Sequence, residues 1–206
     1  MKTWLKKLKR QWSINSVLIC TQGDISIVPP LPQNDQLVIE EMQMSDLGDI
    51  AKWLTIHNDA FLRQWVVNDF QQNVINHPYL LIKKSFFILV DREPVGSISV
   101  GVFRQNEKVG IGHYMALKRQ WQGKGFGKYL ILLKLNVLNQ FGLTTAEGET
   151  TLNRHQSIYL HFSLGFQPKK GLDYWNTPDT SAPLIKMLAW RKLNRMYHDW
   201  LSKNPT

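Results

Sequence analysis

Cysteine is nearly missing from this chain of 206 residues, where Cys20 is the only one. An internal disulfide is excluded on that count, and a reducing, cytoplasmic compartment is expected. No apolar run approaches the about 18 residues that a membrane-spanning helix requires. The short apolar stretch 17–20 gives way to Gln22 and Asp24 too soon for the core of a secretory leader. Internal repeats and low-complexity tracts are lacking too. Acids are scarce, 16 against 25 lysines and arginines, for a formal charge of +9. Over half of that excess lies in the first ten residues, where Lys2, Lys6, Lys7, Lys9 and Arg10 have no acid among them. Such a surplus suits an anionic partner: a phosphorylated cofactor, nucleic acid, an anionic membrane surface or an acidic protein.

What the chain does have is a glycine-rich turn. Residues 122–128 read Gln-Gly-Lys-Gly-Phe-Gly-Lys. Glycines at alternate positions let the backbone turn sharply and keep side chains out of a ligand's way. Upstream, residues 109–117 have the pattern of a buried strand. Downstream, Phe126, Leu130, Leu133, Val137 and Phe141 recur at helical spacing, with Gly142 placed to cap the helix end. A strand–turn–helix of this kind aims unpaired N–H groups and the positive end of a helix dipole at one point, where a phosphate fits. A P-loop is excluded, because the glycine spacing is too short and Tyr129 stands where a hydroxyl should hold Mg²⁺. No metal site is expected.

A dinucleotide-binding turn is a closer decoy, since Glu147 lies at a suitable distance to hold a ribose. The segments before the loop argue against it. Residues 85–91, 95–103 and 109–117 are three strand-like runs joined by the short polar turns 91–94 and 105–108. Turns so short cannot make parallel crossovers, so the strands form an antiparallel meander.

A meander leading through Gln122-Gly123-Lys124-Gly125-Phe126-Gly127 into a helix resembles the GNAT superfamily of N-acetyltransferases. Residues 153–166, Asn-Arg-His-Gln-Ser-Ile-Tyr-Leu-His-Phe-Ser-Leu-Gly-Phe, are similar to that family's later helix and its closing Leu-Gly-Phe. The resemblance covers roughly residues 38–191. It implies a mixed α/β (α+β) fold, a mostly antiparallel sheet flanked by helices. It also implies an acetyl-CoA-dependent enzyme that acetylates a primary amine by direct attack. Two further readings stand beside it: a catalytically weak acyl-CoA-binding sensor or scaffold, and an acetyltransferase acting on aminoacyl-tRNA. The acceptor, a small-molecule or peptide amine, is written in no motif, and neither is the oligomeric state.

By the same resemblance, the loop residues Gln122, Gly123, Lys124, Gly125, Phe126, Gly127 and Lys128 take the pyrophosphate. Met115, Ala116 and Leu117 bond the pantetheine arm where their strand splays from its neighbour. Asn153, Ser157 and His161, spaced by four, form a polar stripe bordering the cofactor. His161 stands where many relatives have a tyrosine acting as general acid, with Tyr159 in reserve. Relatives often carry a glutamate base on the strand before the loop. Here that strand offers His113 and Tyr114, and the next one offers Glu147 and Glu149, so no single base is singled out.

Residues 1–36 read as an N-terminal extension and 37–206 as the acetyltransferase domain with a helical tail. Trp4, Leu5, Leu8 and Trp12 share a face of a short basic helix. Residues 17–20 and 25–28 flank a turn and suggest a hairpin, followed by the proline break 29–32. A strand is expected over 37–42, then a helix from a Ser45 cap to about Thr55, and helix again over 60–75. Beyond the Leu-Gly-Phe, strands near 167–175 and 184–190 precede the tail.

Overall fold

The structure, a computed structural model, describes residues 18–169 and 183–205. The basic helix expected over 4–12 and the far half of the strand expected over 167–175 lie outside the described residues. The described residues form two compact units: Ile25–Ala146, and residues 18–24 together with 147–169 and 183–205.

In chain order the strands are β1 (Leu18–Asp24), β2 (Leu37–Glu41), β3 (Leu80–Val90), β4 (Glu93–Phe103), β5 (Asn106–Leu117), β6 (Thr145–Thr151) and β7 (Gln167–Lys169). The helices are α1 (Leu47–Phe61), α2 (Val67–Phe70), α3 (Phe126–Gln140), α4 (His155–Phe162) and α5 (Pro183–Lys203). A π-helical turn, Gln71–Ile75, continues α2, and a 3₁₀ turn, Arg119–Trp121, follows β5. This is the mixed α/β, mostly antiparallel architecture expected from the sequence.

In the unit Ile25–Ala146 the strand order is β2-β3-β4-β5, antiparallel throughout. The turn between β3 and β4 is tighter than the residue pattern suggests. Only Asp91 and Arg92 form it, both at positive φ (50° and 67°), the backbone that suits the twist of a two-residue hairpin. Asp46, not Ser45, caps α1, its carboxylate accepting the Asp49 N–H at 2.9 Å. The helix outruns Thr55 because residues 56–61 hold no glycine or proline. It stops where Leu62 turns left-handed at φ 50°, which splits the helix expected over 60–75. Ile50, Trp53, Ile56 and His57 form its buried face and pack with Trp65, Phe70, Val74 and Phe87. Helix α3 is buried on more than the one face expected, with Ile131, Leu132 and Leu135 inside as well as Leu130, Leu133 and Val137. Phe141 caps it and is 43% exposed, so this ring is not part of the core stripe.

The second unit corrects two expectations. Residues 18–28 do not form the expected hairpin. Residues 18–24 are one strand, lying between β6 and β7 and pairing antiparallel with β7 through Cys20↔Lys169 and Gln22↔Gln167. Gly23 and Asp24 look like turn residues, but the glycine is needed for space: a Cβ on Gly23 would sit 2.9 Å from the Phe166 ring. The second correction concerns 184–190, which is the start of α5 and not a strand. A short apolar run is ambiguous alone. Its continuation decides, since Ala189, Leu193, Met196, Tyr197 and Trp200 recur on one helical face and pack on Ile19, Leu152, Ile158 and Phe162.

Candidate functional site

The loop between β5 and α3 has the geometry its glycines suggested. Gly123 and Gly125 both sit at positive φ, 76° and 89°, and Gly125 is the N-cap of α3. Among the described residues, a Cβ built on either would find nothing within 4 Å beyond its chain neighbours. These glycines are therefore not required by crowding within the chain. They leave bare backbone facing open space. The helix behind them is 15 residues long, with no acid in its first turn and no side chain capping it. Its leading N–H groups and dipole are free to act on an anion.

Neighbouring side chains hold the loop in place. Gln122 donates from Nε2 to the Leu117 carbonyl at 3.0 Å, tying the loop to the end of β5. The Arg119 N–H donates to Asp59 at 2.6 Å. Lys124 lies 4.6 Å over the Trp121 ring, which in turn meets Phe126 edge-on at 5.4 Å. Gln122, Gly123, Lys124, Gly125 and Lys128 are exposed, while Phe126 and Gly127 are half-buried. An exposed, uncapped helix start with two lysines is suited to an anionic group such as a phosphate.

Upstream of the loop, β5 departs from regular pairing. Ser99 pairs with His113 and Ser97 with Ala116, leaving Tyr114 and Met115 opposite a single β4 residue. This is a bulge, and Tyr114 occupies it at φ 47°. Met115, Ala116 and Leu117, expected to bond the pantetheine arm, therefore begin at a break in the ladder.

The proton-transfer candidates have distinct environments. His113 is half-buried, its ring 4.8 Å from His77 and 4.2 Å from Tyr114. Burial, aided by His77, pushes its pKa down to about 3. On α4, Tyr159 is 40% exposed. His161 is buried against β6: its Nδ1 lies 2.7 Å from the Ser157 carbonyl, and its ring meets Phe166 edge-on. A Cβ on Gly148 would sit 2.2 Å from its Nε2. Asn153 stands before the helix, in contact with the Thr151 hydroxyl. The polar stripe on α4 is thus Ser157 and His161 alone.

Glu147 and Glu149 share one face of β6. Glu147 is 1% exposed, ion-paired with Lys169, and accepts from the Cys20 thiol at 3.4 Å. Burial pushes the Cys20 thiol well up, with Glu147 adding to the shift. Glu149 has a buried Oε1 without a partner among the described residues. Burial, and then Glu147, raise its pKa from the ordinary 4.5 to about 9. Between those values the folded chain holds a proton that the unfolded chain releases, so stability falls as pH rises through that window. The slope is ~1.4 kcal/mol per pH unit. Glu149→Gln copies the protonated carboxyl, so it is expected to flatten this slope and to melt above the wild type at about pH 8. Melting curves at mildly acidic and mildly alkaline pH check it. An equal gap at both would show that Glu149 ionises normally.

Sequence reasoning passed over His57 and Ser97, whose side chains meet at 3.1 Å. The only available signal was the pair Trp53 and His57, one turn apart on α1; nothing in the spacing pointed to Ser97.

Comparison with known proteins bears on the whole arrangement. Residues 49–166 match the family model described as acetyltransferase (GNAT) family. No curated protein matches the chain. Among solved structures, it is similar to the glucosamine N-acetyltransferase region of a fungal multi-domain GH3 beta-N-acetylglucosaminidase, with a TM-score of 0.57 and 11% identity over 82% of this chain. It is also similar to a GCN5-related N-acetyltransferase from Sphaerobacter thermophilus, with a TM-score of 0.56 and 14% identity over 82%. The chain spans 22% of the first of these proteins and 54% of the second. The ribosomal-protein-S18-alanine N-acetyltransferase from Escherichia coli gives 0.53 and 19% over 69% of this chain and 86% of its own length. At such identities the likeness is one of fold; the family match, spanning more than half of the sequence, identifies the chain as a member of the GNAT acetyltransferase family.

Proposed function

We propose that this chain transfers the acetyl group of acetyl-CoA to a primary amine of a small molecule or peptide by direct attack. The observation that carries the reading is the bare helix start at Gly123 and Gly125, with open space before it. Bound there, acetyl-CoA supplies an activated acyl group as a thioester. The pyrophosphate would rest on the main chain of residues 122–128 beside Lys124 and Lys128. Residues 115–117 would hold the pantetheine arm.

Direct attack, with no acyl-enzyme, agrees with the state of the only cysteine. Cys20 is 3% exposed, protonated and hydrogen-bonded to Glu147, the opposite of an activated thiolate. In the reaction the amine nitrogen bonds to the acetyl carbon, the carbon–sulfur bond breaks, and one proton leaves the nitrogen while another reaches the sulfur. His113, with its pKa near 3, is too weak a base to deprotonate an ammonium. Glu149 keeps its proton at neutral pH, the protonation state that a general acid needs. The ammonium proton therefore leaves to water in this reading. Tyr159, Glu149 and His161 are the donors to compare, by kcat of Tyr159→Phe, Glu149→Gln and His161→Phe.

A thermal-shift titration tests the donor. A ligand that binds only the folded state stabilises it by about 2.7 kcal/mol at a hundredfold excess over Kd. Acetyl-CoA is expected to raise the melting temperature by several degrees, with NAD and ATP at equal concentration doing far less. A shift with NAD and none with acetyl-CoA would sink the reading.

A further inference from the structure

Tyr114 holds a left-handed backbone, φ 47°, which is strained for a residue with a side chain. It does so immediately before residues 115–117. A strained residue persists only where its surroundings over-determine it. Four rings enclose Tyr114: His113 at 4.2 Å between centroids, Trp65 at 5.3 Å, Trp53 at 5.7 Å and His57 at 5.8 Å.

One of these rings does more than pack. His57 has no exposed surface and stacks on Trp53 at 3.7 Å, which fixes the plane of its imidazole. From α1 it reaches across to β4, where its Nε2 lies 3.1 Å from Ser97 Oγ. Ser97, 1% exposed, is the residue paired with Ala116 just past the bulge. The next β4 residue, Gly96, pairs with Leu117, and a Cβ there would come within 2.9 Å of the Ala116 carbonyl. The two strands are pressed together where the bulge ends. Burial takes the imidazole pKa down to about 3; His113 adds to the shift and the Tyr114 main chain opposes it. His57 therefore stays neutral at working pH and keeps one donor and one acceptor nitrogen. A serine hydroxyl complements either tautomer.

We infer that the His57–Ser97 pair is a positioning device for the acyl-donor end of the site: it pins the β5 bulge at Tyr114 and so sets the main-chain groups of residues 115–117 that hold the pantetheine arm. Neither residue touches the reacting atoms. The inference rests on the acetyl-CoA reading above.

The test exploits the two ends of the donor. Phospho-ADP, the nucleotide fragment of coenzyme A, carries the pyrophosphate but no pantetheine arm. Ser97→Ala and His57→Leu are expected to weaken acetyl-CoA binding roughly tenfold in isothermal titration while leaving phospho-ADP binding within about twofold of wild type. His57→Gln, which keeps a side-chain partner for Ser97, is expected to recover most of the acetyl-CoA affinity. Parallel losses for both ligands would make the pair a general support of the fold and overturn the inference. Unchanged acetyl-CoA affinity in the mild Ser97→Ala variant would overturn it as well. A wild type that fails to bind acetyl-CoA would instead overturn the donor reading beneath it.

Discussion

A chain beginning at residue 25 is expected to accumulate as aggregate, whereas one beginning at residue 15 stays soluble. The difference is β1. This strand lies between β6 and β7, and β7 has only three residues. Removing it leaves strand edges with unpaired N–H and carbonyl groups, the template for association between chains. It also takes Ile19 from a core shared with Leu152, Ile158, Phe162, Ala189 and Leu193. The Thr21 hydroxyl, which donates to the Gly148 carbonyl at 3.3 Å, goes with it. Solubility after expression, followed by melting of whatever remains soluble, checks the expectation. A soluble, monomeric 25–206 chain melting within a few degrees of the full one would show that β1 is dispensable.

Gly125→Asp is expected to abolish acetyl-CoA binding, a loss of at least roughly a hundredfold or 2.7 kcal/mol, with little change in the fold. Apart from its chain neighbours, no atom of the described residues lies within 4 Å of the new Cβ, so their packing is undisturbed. The left-handed backbone at φ 89° would cost an aspartate about 1 kcal/mol. Its carboxylate, placed at the uncapped start of α3, regains part of that by accepting from the leading N–H groups. The same contact is what ruins the site, because a fixed negative charge then occupies the place of the pyrophosphate. Gly125→Ala brings the strain without the charge and is expected to fall between the two. Isothermal titration beside melting curves separates binding from folding; near-wild-type affinity in the aspartate variant would reduce the loop to an ordinary turn.

The features that were legible in the sequence are local ones. The alternate glycines at 123, 125 and 127 lie next to the helix they open, and the polar turns expected at 91–94 and 105–108 lie between the strands they join, although the second is in fact Arg104–Gln105, with residues 106–108 already part of β5. Their signals are complete within a dozen residues. The β1–β7 pairing depends on partners at opposite ends of the chain, and Gly23-Asp24 mimicked a turn because local pattern cannot reveal a distant Phe166. Residues 184–190 misled for a related reason: an apolar run declares burial, while the period that makes it helical lies further along, at Leu193, Tyr197 and Trp200. The His57–Ser97 contact spans 40 residues and joins two residue types that are common anywhere. Only the fold makes the pair meaningful.

The bare stretch of β5 beneath α3 has a mechanical consequence. A Cβ on Gly110 would lie 2.5 Å from Leu138, and one on Gly112 would lie 2.4 Å from Lys134. The helix rests on backbone at both points. Its height above the strand is fixed toward its C-terminal half, and its opening turn carries the anion cradle at the other end. A methyl group added at Gly110 would press on the Leu138 side chain and, where that side chain does not give way, would act like a shim under one end of a beam, tilting the end that carries the proposed cradle. Natural variation in donor grip can therefore arise beneath the helix, at positions that never meet the ligand, and a comparison of relatives confined to the loop would not see it.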